Sequence, residues 1–540
     1  MQNDERGSRR ERRRPNAWPL RPIVVAVVVS LVCGTAVAQV PVSLTAVRVA
    51  YATQKAKVSP QGELAATLAG LEREMNDAVR LGQTGEARRL LAKGLALLSG
   101  APWTPQLEYA RSLVLRTDHV VADSSKPLVV RLEQVYRPAI ELPATLTATL
   151  ALAAVVRTGA SAGPAGEPVV ARRADVAGPL PRDLRDTPVS VELDLKGLAD
   201  GLYRLSVTVS NGQEPVPGMA QPLGSATMTV SAIDGLDARL ARLSAGAQAL
   251  PESVQADVLS PVDFVRNVNL SRIPLGSTDV ARDLKTAEAL LASAKPRQDP
   301  FATKTGDITR HYLLKSAGEI LPYRVYVPTT YTRSKPMPLI VALHGLGGTE
   351  ASFFEAYSKR LPELAEKHGY LLVAPLGYRT DGFYGWGVGD PPADPAARQL
   401  QERSEQDVME VLARVKRDYT VDDSRIYLLG HSMGAIGTWK LAAKYAGTWT
   451  ALGVISGTGA PATIEKMRGV PQVVVHGDRD PTVPVGGSRA MVAEMKRLGV
   501  DVNYIEVPDG DHSSVVVPNL EPIVLFFDAH RKQAAVGSWQ

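Results

Sequence analysis

Ser432 stands in Gly430-His431-Ser432-Met433-Gly434, directly after the apolar run Arg425-Ile426-Tyr427-Leu428-Leu429 and before a stretch of helical character from about 435 to 445. Flanking glycines permit a sharp strand-to-helix turn that lifts a serine hydroxyl above a sheet edge, with the helix N-terminus facing developing negative charge. A serine hydroxyl is a poor nucleophile at neutral pH unless a histidine accepts its proton and a carboxylate orients that histidine. Only His476, His512 and His530 follow Ser432. His476 opens the segment His476-Gly477-Asp478-Arg479-Asp480-Pro481 directly after the apolar run Val473-Val474-Val475, where an acid belongs if the chain order is serine, acid, histidine. His476 itself reads as a structural residue of its turn. His512 follows a strand in the loop Pro508-Asp509-Gly510-Asp511-His512 and is favoured as base over His530, which lies beside Phe526 and Phe527 on a terminal helix. Asp480 is the preferred acid and Asp478 its rival. His431 is a poor base because the turn dictates its direction.

These side chains need a sheet to carry them. Tyr323-Arg324-Val325-Tyr326-Val327 reads as a strand ending at Pro328, and Pro338-Leu339-Ile340-Val341-Ala342-Leu343 is a continuous apolar run of the kind that lies inside a parallel sheet covered on both faces. Further apolar runs at 370–374, 426–429, 451–455, 470–475 and 502–507 alternate with helical stretches. That alternation predicts a doubly wound α/β region over 306–540. With the serine turn it predicts the α/β-hydrolase fold, a mostly parallel sheet with helices on both faces. Leu343-His344-Gly345-Leu346-Gly347-Gly348 follows the early buried run, and its glycines allow the backbone to approach a substrate closely. The backbone amides of Leu346 and Met433 are the expected oxyanion donors, each worth about 3 kcal/mol of barrier.

From about residue 309 onward the chain resembles the polyhydroxybutyrate depolymerase and feruloyl esterase group of α/β-hydrolases, including relatives labelled predicted peptidases. The resemblance rests on Tyr323-Arg324-Val325-Tyr326-Val327-Pro328, His344-Gly345, Val421-Asp422-Asp423-Ser424-Arg425-Ile426-Tyr427, the serine turn with Gly437-Thr438-Trp439, and the segment from His476-Gly477 to Pro484. It implies Ser432, Asp480 and His512 as a catalytic triad and acyl-ester hydrolysis through an acyl-enzyme. Ala435 departs from the pattern, since relatives often carry glycine there. The resemblance also places a substrate-facing loop at Arg379-Thr380-Asp381-Gly382-Phe383-Tyr384-Gly385-Trp386-Gly387. Tyr384, Trp386 and Trp439 are the expected substrate contacts, and a loop anchored by its own buried rings is the competing reading. No cofactor and no metal are expected. A serine peptidase of the same fold and a catalytically inactive cell-envelope binding protein are the alternative functions.

At 540 residues the chain is too long for one ordinary core, and roughly three domains are expected. Apolar residues recur at helical spacing over 63–98 in two runs separated by Gly82-Gln83-Thr84-Gly85, which predicts a helical hairpin within a helical N-terminal region, 39–125. Over 126–233 the period changes to two, as in Val129-Val130-Arg131-Leu132-Glu133 and Leu202-Tyr203-Arg204-Leu205-Ser206-Val207, with turn-rich stretches at 159–166 and Asn211-Gly212. Short alternating strands predict an antiparallel, immunoglobulin-like β-sandwich that spaces, docks or shields the enzyme, or contacts carbohydrate. A helical connector over 234–305 ends in the linker Lys295-Pro296-Arg297-Gln298-Asp299-Pro300.

The formal net charge is +5, but the first 38 residues hold seven arginines against three acids and carry +4 of it. The remainder is nearly neutral, which argues against a nucleic-acid partner. The arginines precede a short apolar run at 23–33 and then Ala36-Val37-Ala38, so residues 1–38 read as a signal peptide cleaved after Ala38 and the protein as periplasmic or extracellular. Membrane contact is expected only if this leader stays uncleaved. The one cysteine, Cys33, lies in the leader, leaving no thiol for catalysis, a thiolate metal site or a disulfide. The expected partner is a small-molecule or polymer ester.

Overall fold

The computed structural model describes residues 44–139, 146–155, 169–210, 227–294 and 298–532. The leader with Cys33, the turns at 159–166 and 211–212, and Lys295-Pro296-Arg297 of the linker lie outside them. The front of the described chain is helical: α1 (Leu44–Val58), α2 (Gly62–Arg80), α3 (Thr84–Leu98) and the short α4 (Pro105–Ser112). The apolar stripes of α2 and α3 close on each other through Leu68, Leu71, Met75, Leu90, Leu91 and Leu95. Helix α1 joins them because α3 has a glycine at 94, where a Cβ would lie 2.6 Å from the Tyr51 ring. Helix α4 starts on a Thr104 cap, whose hydroxyl accepts from the Leu107 amide at 3.2 Å, with Pro105 at its first position.

Eight strands follow: β1 (Leu113–Thr117), β2 (Val121–Asp123), β3 (Leu128–Gln134), β4 (Thr147–Ala154), β5 (Val170–Asp175), β6 (Val189–Leu193), β7 (Gly201–Ser210) and β8 (Thr227–Ile233). They pair as a three-stranded sheet, β1-β3-β6, and a five-stranded sheet, β2-β8-β7-β4-β5. Alternate residues from both, among them Leu115, Val130 and Leu132 from one and Leu150, Leu205 and Val207 from the other, share one apolar core. Strands β1 and β2 come from residues expected to be helical, because runs of five and three residues are too short to display a period of their own.

The region 234–305 is more than a connector. Its helices α5 (Leu236–Ala247), α6 (Glu252–Asn269) and α7 (Val280–Ser293) bury Leu243, Val258, Val265 and Leu284 in the same apolar core as the eight-stranded sheet that follows. That sheet holds β9 (Gly306–Leu314), β10 (Glu319–Val327), β11 (Met337–Leu343), β12 (Leu371–Pro375), β13 (Val421–His431), β14 (Ala451–Ile455), β15 (Gln472–Gly477) and β16 (Val502–Val507), in the order β16-β15-β14-β13-β11-β12-β10-β9. Every pairing from β12 to β16 is parallel, while β10 runs antiparallel to both β12 and β9. Its helices are α8 (Arg360–His368), α9 (Pro395–Asp418), α10 (Met433–Lys444), α11 (Gly486–Arg497) and α12 (Val516–Asp528). Strand β11 is buried at every residue, as its unbroken apolar run requires between two helical layers.

Helix α6 is bolted to the β9–β10 hairpin by two carboxylates. In the antiparallel register His311 faces Pro322, which has no N–H, so the His311 amide points away from β10 and donates to Asp257 at 2.6 Å. Asp263 accepts from the Ile320 amide at 2.8 Å, beyond the reach of β12. Arg310 completes the joint, donating to Asp257 at 3.0 Å with its guanidinium over the Phe301 ring. At its other end α6 places Asn269, whose side chain accepts from Val120 and Val121 and donates to the Val121 carbonyl, all at 2.9 Å, tying β2 to the same helix.

Candidate active site

Strand β13 delivers Ser432 and α10 departs from it within one residue. Ser432 takes φ +57° and ψ −117°, a backbone state that costs a non-glycine residue about 1–3 kcal/mol and persists only when its surroundings enforce it. They do so through closeness. A Cβ on Gly430 would lie 2.1 Å from the Gly434 carbonyl oxygen, and one on Gly434 would lie 2.0 Å from that of Leu343. Both glycines are therefore obligatory, one for the turn and one for the seat of α10 on the end of β11. The Ser432 amide donates to the Ile455 carbonyl at 2.9 Å, fastening the turn to β14.

The three residues picked from the sequence meet here. His512, in the loop after β16, places Nε2 2.8 Å from Ser432 Oγ and Nδ1 2.7 Å from Asp480 Oδ2. With the carboxylate accepting, Nδ1 carries the hydrogen and Nε2 is free to accept from the hydroxyl. Asp480 is fully buried and its other oxygen accepts from the amides of Thr482 at 2.8 Å and Val483 at 2.9 Å. Burial alone would raise this carboxyl, but the bonds from His512, Val483 and Thr482 outweigh it and hold it below its usual range. The rival Asp478 is exposed. His476 donates from Nε2 to the Val483 carbonyl at 2.9 Å and meets Ser488 with Nδ1 at 2.7 Å, bracing the turn that carries Asp480. His530 pairs with Asp501 at 2.9 Å, away from the three.

The loop after β11 runs beside the serine, where a Cβ on Gly345 would come 3.3 Å from Ser432 Cβ. Gly347 turns it with φ +78° and donates to the Thr380 carbonyl at 2.8 Å. The amides of Leu346 and Met433 are committed to no protein acceptor among the described residues. Leu346 exposes its apolar side chain beside them.

The expected substrate contacts require correction. Tyr384 is fully buried, its hydroxyl donating to the His344 carbonyl at 3.1 Å and its ring filling the space left by Gly377 and Gly437. Trp439 is buried too, its Nε1 donating to Gln472 at 2.8 Å. Both are core residues, and the glycines near Tyr384 mark where its ring is packed. Trp386 is half-buried, with Lys444 Nζ 5.3 Å from its ring centre. The loop is held from α9 and α10. Asp407 accepts from the Tyr378 amide and the Tyr312 hydroxyl, and Lys440 donates to the Gly385 carbonyl at 2.7 Å, its ammonium lowered by burial to about 8.

Residues 315–495 match the family described as "Putative esterase". A feruloyl esterase B of Neurospora crassa is 34% identical over 135 residues, 24% of this chain and 42% of that protein. These two matches liken the C-terminal region to esterases. A bifunctional acetylxylan esterase/xylanase of Neocallimastix patriciarum is 26% identical over 29% of this chain and 21% of that protein. The chain thus spans less than half the length of either relative. Among solved structures, a thermostable esterase aligns over 78% of this chain and all of its own, at 17% identity and a TM-score of 0.36.

Among the described residues no cluster of three or more His, Cys, Asp or Glu is placed to hold a metal ion. No helix among them is long and apolar enough to cross a membrane.

Proposed function

We propose that this protein hydrolyses carboxylic esters through an acyl-enzyme, with Ser432 as nucleophile, His512 as general base and then general acid, and Asp480 orienting the imidazole. The observation that carries this reading is the unbroken line of contacts from Ser432 Oγ through His512 to Asp480, at 2.8 and 2.7 Å. His512 takes the hydroxyl proton as Oγ attacks the ester carbonyl. The alkoxide oxygen of the tetrahedral intermediate is received by the uncommitted amides of Leu346 and Met433, and the imidazolium then protonates the departing alcohol. Water repeats the sequence to release the acid.

Feruloyl or acetyl esters linked to polysaccharide are the proposed substrates, on the strength of the two curated relatives, with polyesters as the alternative. Residues 1–38 act as an export signal in this reading, and the two sheets before α5 form an immunoglobulin-like accessory module that spaces or docks the catalytic region. A fluorophosphonate probe should label wild-type protein and spare Ser432→Ala. A panel of methyl ferulate, acetylated xylo-oligosaccharide, hydroxyalkanoate oligomers and a peptide anilide then ranks substrates. Preference for the anilide would replace the esterase reading with a peptidase one, and no labelling at Ser432 would end both.

A further inference from the structure

His431, the neighbour of the proposed nucleophile, is buried and makes two bonds that the reaction does not consume. Its Nε2 lies 2.9 Å from the backbone carbonyl oxygen of His512, and its Nδ1 lies 2.7 Å from the Tyr357 hydroxyl. A carbonyl can only accept, so Nε2 carries the ring hydrogen and Nδ1 must accept from Tyr357. The His512 carbonyl thereby fixes the tautomer, and Tyr357, donating to the opposite nitrogen, holds the ring in the orientation that presents Nε2–H to it. Burial keeps the ring neutral, with its conjugate acid lowered to about 4, so the arrangement does not change over ordinary working pH.

We propose that His431, braced by the Tyr357 hydroxyl, is a positioning residue that aims the His512 imidazole at Ser432. The proposal rests on the triad reading above. His512 sits in a loop between β16 and α12, so hydrogen bonds must set its direction. Its side chain is held at Nδ1 by Asp480, and its main chain at the carbonyl by two donors, His431 Nε2 and Ser456 Oγ at 3.1 Å. Ser456 directly follows β14 and His431 ends β13, so base and nucleophile are referred to the same two adjacent strands. The His431 and His512 rings also touch, with centres 4.9 Å apart. The Gly345 position lies against His431 as well, a Cβ there falling 3.5 Å from Nδ1, so the residue meets the nucleophile turn, the base loop and the proposed oxyanion loop together.

The test compares His431→Phe, His431→Gln and Tyr357→Phe with wild type and Ser432→Ala. It measures p-nitrophenyl acetate kinetics per titrated active site, fluorophosphonate labelling rate and melting temperature. Phe keeps the bulk and loses both bonds, and a misaimed base should lower kcat about 10–100-fold with KM within about 2-fold. Labelling should slow in parallel, because it too needs the hydroxyl activated. Gln restores a donor and should recover kcat to within about 3-fold, while Tyr357→Phe should lose about 3–10-fold. A folded Phe variant with wild-type kcat per active site overturns the proposal, as does a Gln variant no better than Phe. If the Phe variant does not fold, Tyr357→Phe decides, lowered kcat at unchanged KM supporting the proposal and wild-type kcat overturning it. Full activity in Ser432→Ala would instead sink the triad reading.

Discussion

The joint between α6 and the β9–β10 hairpin sets a measurable stability, and Asp257→Ala is the change that exposes it. Asp257 and Arg310 have side chains only 3% and 4% exposed, with Nε to Oδ2 at 3.0 Å, and the same carboxylate accepts the His311 amide at 2.6 Å. Truncation leaves the Arg310 guanidinium with the Ser253 carbonyl at 2.8 Å and a longer approach to Asp299 at 3.6 Å. Removing one partner of a buried pair typically costs about 3–5 kcal/mol, because the surviving charge stays buried. For a cooperative unit of more than two hundred residues that corresponds to a melting shift of roughly 6–15 °C. Calorimetry on the full chain measures it, and ester hydrolysis at 25 °C should stay near wild type, since the joint lies away from Ser432. Replacing both partners, as Asp257→Leu with Arg310→Met, should recover most of the loss. A shift under about 2 °C for Asp257→Ala, or a double variant as unstable as the single, would refute the claim that this pair locks the helices to the catalytic sheet.

Asp480→Asn should lower kcat by about three to four orders of magnitude with little change in melting temperature, because an amide no longer demands the Nδ1–H tautomer of His512; steady-state kinetics beside a melting curve checks this. Gly434→Ala should abolish soluble, labelled enzyme, since its Cβ would fall 2.0 Å from the Leu343 carbonyl, and expression with fluorophosphonate labelling reads it. Asp407 is raised by burial from 3.8 to about 6, against the bonds from Tyr312 and from the Tyr378 and Gly377 amides. The folded state therefore holds that proton at pH values where the unfolded state has released it. This group's contribution to stability falls as pH rises from about 4 towards 6, and Asp407→Asn should remove that part of the slope, seen in urea midpoints against pH.

The catalytic sheet was legible because strands buried on both faces must be apolar throughout, and the runs at β11, β13 and β15 are. Ser432 and Asp480 were legible as candidates because each follows such a run by a few residues, and His512 because it lies in the loop after the half-buried β16. Tyr384 and Trp439 were misread for a definite reason: an aromatic among glycines looks the same whether the glycines open a ligand surface or make room for the ring itself, and only Gly377 and Gly437 pressed against Tyr384 distinguish the two. The role of α6 was equally hidden. Asp257 and Asp263 look like members of a solvated helix face, and their partners lie 53 and 57 residues away in the sequence. His431 could be set aside as a base from the sequence, but its bond to His512 spans 81 residues and leaves no local signature.

Strand β9 is the outermost of its sheet, and an unpaired outer strand invites another chain to add itself in register. Asp257 answers that hazard by occupying the outward His311 amide with a carboxylate that no incoming strand can match. A fragment trimmed to begin at β9 would keep every proposed reacting group and yet present a bare, sticky margin. Such a fragment should associate with its own copies at concentrations where the full chain stays dispersed, so the helices ahead of the sheet act as its hem.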